Sequence, residues 1–214
     1  MTAVVLSTNI GHPQPDPGGA DRISGIDKRP TTGIEVFAPG PNYGDGSGVR
    51  GDVIGDSLHH GGEHKAIYAF AREELNHWQA ELGRELPSGS FGENLTTTGL
   101  NLAEVLINQR FQVGTALLEI SVARRPCRTF GAWLEQQGWM KTFTQREQCG
   151  TYFRVIEPGR ISPGDLMTAV DNPEHGITMG MAFRAKMGNK EAARRVVEAQ
   201  CLPGHHHEEL LKRL

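Results

Sequence analysis

The chain has 214 residues, a formal net charge of −3, 27 glycines, 12 prolines and three cysteines. So near-neutral a balance gives no electrostatic footprint for a nucleic-acid polymer or an anionic membrane surface. No apolar run approaches the ~18 residues of a membrane span. The length suits one substantial domain with a small appendage, and the glycine and proline content points to many turns and a sheet-rich fold.

In chain order, residues 3–7 read as a strand and 12–21, rich in proline and glycine, as a loop. A short strand at 34–37 precedes a long loop at 38–48, and the compact apolar run 66–70 is a strand. Over 72–82, Leu75, Trp78 and Leu82 share a helical face that Gly83 ends. Strands are expected at 93–97, 105–107, 111–113, 116–122, 151–156 and 166–170, and short helices at 129–137 and 140–148. Many short strands with few helices point to a mainly β fold, a closed or nearly closed β-barrel with a few flanking helices. After Val170 the composition shifts. A linker at 171–176 leads to helical stretches at 179–187, 190–199 and 206–214, where Ala193, Val196 and Val197 form a stripe that must pack on something. The expected organisation is a barrel domain over 1–170 and a three-helix module over 175–214. The first residues lack the basic and long apolar parts of a signal peptide. Sparse, odd cysteines fit a reducing compartment, so the expectation is a cytoplasmic protein.

The densest chemistry lies in Ala123-Arg124-Arg125-Pro126-Cys127-Arg128. A free thiol titrates near ~8.5, and neighbouring guanidinium charge favours the thiolate, which attacks electrophiles and binds metals. Leu118, Ile120 and Val122 alternate with Glu119 and Ser121, and Pro126 stops pairing, so Cys127 should stand at a strand end. The alternative is a small buried hydrophobe, the usual fate of a free cysteine. Cys149 and Cys201 carry no such setting. Without a CxxC pair or a fourth cysteine, neither a zinc ribbon nor a four-thiolate cluster can form.

Residues 51–66 are rich in glycine and polar side chains. Asp52, Asp56 and His60 recur at spacing four, as metal ligands or as a turn held by side-chain hydrogen bonds. Gly61 and Gly62 would let backbone N–H groups approach an anion, with Lys65 adding charge. Gly46 to Gly51 fits Gly-x-Gly-x-x-Gly but follows no strand and opens no helix, so it is a loop and not a dinucleotide site. In Phe91-Gly92-Glu93-Asn94, the carboxylate and amide either read a heterocycle edge or cap a turn. Arg154, alternating with Phe153 and Val155, is either a surface residue or a pocket one. His205, His206 and His207 read as a surface helix start.

The order His60-Gly61-Gly62-x-x-Lys65-Ala66, Phe91-Gly92-Glu93-Asn94-Leu95, Arg125-x-Cys127, Tyr152-Phe153-Arg154-Val155 and Gly164-Asp165 resembles the MOSC domain, found at the C-terminus of molybdenum cofactor sulfurases. Gly25-Ile26-x-Lys28-x-Pro30 and the 175–214 tail are similar to the stand-alone bacterial subgroup that reduces N-hydroxylated bases. The resemblance implies a β-barrel that binds the molybdenum–pterin cofactor, with Cys127 as metal ligand and catalytic centre. Its cofactor-binding positions would be Lys28, His60, Gly61, Gly62, Lys65, Phe91, Gly92, Glu93, Asn94, Arg125 and Arg154. The implied activity is two-electron reduction of hydroxylaminopurine-type bases, hydroxylamines or amidoximes, with electrons from an external flavin reductase. Two other classes remain: a sulfur carrier or transferase using a Cys127 persulfide, and a non-catalytic cofactor-binding or delivery module. Phe130 and the long 38–48 loop depart from the family pattern and bear on substrate choice.

Overall fold

Alternating apolar residues make the first segment a strand, and it runs further than the periodicity suggests. The computed structural model describes residues 2–214 and contains β1 (Val4–Gly11), β2 (Gln14–Pro15), β3 (Ile23–Ser24), β4 (Lys28–Thr31), β5 (Ile34–Val36), β6 (Ile67–Ala71), β7 (Leu95–Thr98), β8 (Arg110–Val113), β9 (Ala116–Ile120), β10 (Thr151–Glu157), β11 (Gly159–Ile161) and β12 (Met167–Ala169). The principal sheet has the order β12-β8-β9-β10-β6-β7-β1-β4. It curls back on itself: Leu166 bridges Val4, the Val5 N–H donates to Asp165 O at 2.9 Å and the Met167 N–H to Ala3 O at 2.9 Å. Such closure covers the β12 edge and leaves β4 as the free one. Among the described residues only β6 and β7 pair in parallel, which requires a crossover; α1 (Arg72–Leu82) supplies it, burying Leu75 and Trp78 and ending at Gly83 with φ 63°.

β4 is missing from the sequence reading because Pro30 and its charged neighbours do not look like a strand. It is an edge strand, where a missing N–H is tolerated. Residues 105–107 form no strand of their own. Their backbone is spent on the tail instead: the Ile107 N–H donates to Ile177 O and the Met179 N–H to Val105 O.

Behind Cys127 lie α2 (Arg128–Trp133) and α3 (Trp139–Arg146). They are anchored by an aromatic cluster of Phe70, Phe91, Phe130, Trp139 and Phe143, with Phe70–Phe91 centroids 4.8 Å apart and Phe91–Phe130 5.0 Å. Phe130 is therefore a core residue and does not face a ligand. The tail forms α4 (Met179–Lys186), α5 (Lys190–Ala199) and α6 (Gly204–Leu211). Thr178 and Asn189 cap α4 and α5 through their side chains. Phe183 packs against Phe143, and the expected stripe of α5 is buried at Ala193 and Val196.

Candidate functional site

A cleft of about 110 Å³ opens where the β2–β3 hairpin, the 53–61 loop, the ends of β6 and β10 and the Cys127 turn meet. Its floor is held by one carboxylate. Asp52 accepts from Lys28 Nζ at 2.6 and 2.7 Å, Ser47 Oγ at 2.9 Å, Asn94 Nδ2 at 2.9 Å and the Gly11 N–H at 2.7 Å. Burial alone would raise its pKa, but the Lys28 ammonium and the donors from Asn94 and Gly11 outweigh burial and hold the carboxyl below the usual range.

The roof is the hairpin. Asp16 accepts from Arg22 Nε at 2.7 Å, the Gly18 N–H at 2.7 Å and Thr129 Oγ1 at 3.0 Å, tying the hairpin to the start of α2. Arg22 also pairs with Asp56 at 2.8 Å. A Cβ on Gly25 would lie 2.1 Å from Val53 O, so only glycine lets the hairpin and the 53–61 loop approach this closely. Asp16 and Asp56, the carboxylates that line the cleft, are both paired with Arg22.

Arg124 is not. Only 6 % exposed, its guanidinium lies 4.6 Å from the Tyr68 ring centroid and 4.1 Å from that of Phe130. It donates to the Phe91 carbonyl, lines the cleft and has no carboxylate partner among the described residues. Lys65 has none either: its Nζ donates to His59 O at 2.6 Å and sits 4.4 Å from the Tyr43 centroid and 5.8 Å from that of Tyr152. Burial, reinforced by Lys186, pushes Lys65 down to about 7. Burial, with Lys65 and Arg124 nearby, drops His60 to about 3, so its imidazole is neutral near pH 7; Nδ1 lies 3.3 Å from Tyr152 Oη. Burial raises the Tyr152 phenol to about 12.

Lys28, His60, Gly61, Lys65, Gly92, Asn94 and Cys127 meet at this cleft although they are distant in sequence. The other expected positions do not line it. Gly62, with φ 72°, packs against the Asn42 carbonyl, which a Cβ would approach to 2.2 Å. Phe91 belongs to the aromatic core. Glu93 caps its own turn, accepting from the Gly89 N–H at 2.6 Å, the Phe91 N–H at 2.9 Å and Thr96 Oγ1 at 2.8 Å. Asn94 reads no heterocycle edge, because its amide is spent on Tyr68, Asn9 and Asp52. Arg125 turns outward to Glu209 at 3.4 Å. Arg154 lies on the other side of its strand, paired with Glu119, which also binds Arg110 at 2.8 Å. The Asp52, Asp56 and His60 spacing makes no multi-side-chain metal centre, since both carboxylates are committed to Lys28 and Arg22. His206 is buried, not superficial: Lys186 Nζ lies 2.9 Å from Nδ1 and Tyr43 Oη 2.7 Å from Nε2.

Sequence reasoning gave no site role to Arg124 or Tyr152, which it named only within motifs, and missed Tyr68 and the Asp16–Arg22–Thr129 tie. Arg124 did carry a signal. Leu118, Ile120 and Val122 are inward residues, and the period of two continued through 124 selects it over Arg125.

Residues 56–168 match the MOSC domain. The chain belongs to that family. The MOSC chain is 34% identical over 181 residues to YflK of Bacillus subtilis (strain 168), covering 84% of this chain and 79% of that protein. It is 28% identical over 188 residues to a protein of Gibberella moniliformis (strain M3125 / FGSC 7600) named "Reductase", covering 80% of this chain but 33% of that one. Among solved structures it superposes on YiiM from Geobacillus stearothermophilus with a TM-score of 0.77 at 26% identity, over 99% of each chain. No helix of this MOSC protein is long and apolar enough to cross a membrane among the described residues.

If the cleft binds an anion, Arg124→Gln should release it while Arg125→Gln leaves it in place. Molybdenum and pterin content of the two purified variants, compared at equal folded fraction by circular dichroism, checks this.

Proposed function

We propose that this MOSC protein is a molybdenum cofactor-dependent reductase of N-hydroxylated compounds: hydroxylaminopurine-type bases, hydroxylamines or amidoximes. In this reading Cys127 is the protein ligand of the metal. One observation carries it: a thiol and an unpaired, buried guanidinium share a cleft whose lining carboxylates are both engaged by Arg22. An isolated buried charge is expensive, so an anionic ligand beside Arg124 is favoured. A soft thiolate suits a thiophilic metal, and the donor set therefore fits a metal–pterin group that carries a phosphate. The cleft volume of about 110 Å³ is below that of typical enclosed ligand pockets, ~300–1,000 Å³, so it can enclose only one end of a ligand of that size.

Arg124, Cys127 and the backbone at Gly61 and Gly92 would hold the group, which supplies two-electron redox chemistry when bound. The protein's own residues orient and shield. The Asp16–Arg22–Asp56 tie keeps the hairpin over the cleft. His60, neutral and held at Tyr152, offers one donor and one acceptor without adding charge. Residues 46–51 form a loop rather than a strand-to-helix turn, so no dinucleotide seat is found there. In this reading electrons come from a separate flavin reductase, the protein works in the cytoplasm, and residues 175–214 are a module appended to a 1–170 barrel domain.

The test is purification from a cofactor-competent host, metal and pterin analysis, and reduction of hydroxylaminopurine with and without a flavin reductase. Bound molybdenum and pterin, turnover with NADH plus the reductase, and none with NADH alone are expected. Protein free of molybdenum but carrying sulfane sulfur on Cys127 would replace this reading with the sulfur carrier.

A further inference from the structure

Reduction of R–NH–OH to R–NH2 and water consumes two electrons and two protons. A side chain of the cleft that gives up a proton near neutral pH would supply one of them where the substrate sits. Its side chains can be taken in turn. Arg124 and Arg22 are guanidiniums and do not deprotonate. Asp16 and Asp56 are held ionised by Arg22: in each, burial is outweighed, for Asp16 chiefly by the Arg22 hydrogen bond and for Asp56 by His59 and Arg22, and both carboxyls lie below their ordinary value. Lys28 is locked to Asp52. His60 is already neutral, Tyr68 and Tyr152 are buried phenols that hold their protons too tightly, and Cys127 is taken up as the metal ligand in this reading. That leaves Lys65, an ammonium with no carboxylate partner among the described residues, fixed by one carbonyl and two ring faces and lining the cleft with Cys127.

We propose, resting on the reductase reading, that Lys65 is the proton donor to the substrate nitrogen in this cleft. The N–O bond breaks with its electron pair going to oxygen, and the nitrogen takes up two electrons that a reduced-flavin donor ultimately supplies. A Lys65 N–H bond breaks as the new substrate N–H bond forms. The departing oxygen keeps its hydrogen, takes the second proton from solvent and leaves as water. Lys65 then recovers its proton at the open side of the cleft.

The surroundings of Lys65 fit this work. Burial and the charges of Lys186 on α4 and Arg125 on the Cys127 turn lower its proton affinity, while Glu209 on α6 and Asp56 partly restore it, and the balance falls at about 7. A proton donor works best with its pKa near the operating pH. Tyr43 and Tyr152 present ring faces, His59 contributes its carbonyl, and His60 is uncharged. His206 ties Tyr43 to Lys186. With Lys186 donating to Nδ1, the neutral ring carries its proton on Nε2, directed at Tyr43 Oη. The tail helices thus set the acidity of Lys65 from behind, with Lys186 as a positioning residue.

The test uses the holoenzyme with a flavin reductase and hydroxylaminopurine. Lys65→Arg keeps the cation but cannot release a proton; Lys65→Met removes both. Lys65→Arg should retain molybdenum and pterin yet lose about 10²–10⁴-fold in kcat/KM, the range typical of a general acid. Wild-type kcat/KM should fall as the pH rises through about 7, because the protonated form is the working one, and Lys65→Arg should lack that limb. Lys186→Met, which removes a neighbouring positive charge, should move the wild-type limb to higher pH. Competitive acylation read by mass spectrometry should find the Lys65 amine nucleophilic near pH 7, far below an ordinary lysine at ~10.4. Near-wild-type turnover by Lys65→Arg, or a Lys65 that labels like a surface lysine, overturns the proposal and leaves the reductase reading standing. A wild-type protein that binds molybdenum but reduces no N-hydroxylated compound overturns both.

Discussion

Cys127→Ala is expected to purify folded, without molybdenum, and with no measurable reduction of hydroxylaminopurine. The loss should be chemical rather than structural. Cys127 precedes α2 but makes no side-chain cap, and its sulfur is only partly buried. Removing one partly buried sulfur opens no large cavity, so the loss of stability should be small, about 1 kcal/mol or less. The other two thiols are the controls. Burial pushes Cys149 up to about 12 and Cys201 to about 11, so neither offers a thiolate near neutral pH. Cys149→Ser and Cys201→Ser should keep both metal and activity. Metal analysis, circular dichroism melts and the coupled assay read all three. Full activity in Cys127→Ala would remove the cysteine from the mechanism.

Asp52→Ala should be among the most destabilising single changes in the molecule. The carboxylate is fully buried and its partner nearly so, with side-chain exposures of 0% for Asp52 and 6% for Lys28. Removing it strands the Lys28 ammonium and frees donors from β1, the 38–48 loop and Asn94 at once. Breaking a buried pair from one side costs about 3–5 kcal/mol, which for a chain of this size is a drop of about 6–20 °C in the thermal midpoint. The double variant Asp52→Leu with Lys28→Met should recover much of that loss, because it removes both charges together.

The same group sets an acid limit. Its folded-state pKa lies below the ordinary carboxylate value, so its contribution is present above the unfolded pKa of ~3.9 and is lost as the pH falls through the folded one. Wild-type stability should therefore decline steeply below about pH 4, and Asp52→Ala should lose less over the same interval. Melting curves from pH 7 to pH 2 decide this; parallel declines would refute it.

Local chemistry was enough for a good part of this molecule. The 72–82 helix, the strands around 67–71 and 151–157, the tail helices and the place of Cys127 after a strand all follow from periods of 3.6 or 2 and from proline and glycine punctuation, which act within a few residues. The motif order carried the family. What the sequence by itself could not assign was which of several chemically equal side chains faces the cleft. Arg124 and Arg125 are neighbours of the same type; one is sealed between Tyr68 and Phe130 and the other reaches Glu209 on α6, 84 residues away. Glu93 and Asn94 read equally well as ligand or cap until their partners at Gly89, Thr96, Tyr68 and Asp52 came within 3.2 Å. His206 looked like surface because its partners, Tyr43 and Lys186, are 163 and 20 residues away. The sequence by itself determined most of the longer elements and the family, because those depend on neighbours along the chain. Only the tertiary structure decided which cations stay unpaired, because that depends on which carboxylates folding brings within hydrogen-bond reach and which it spends elsewhere.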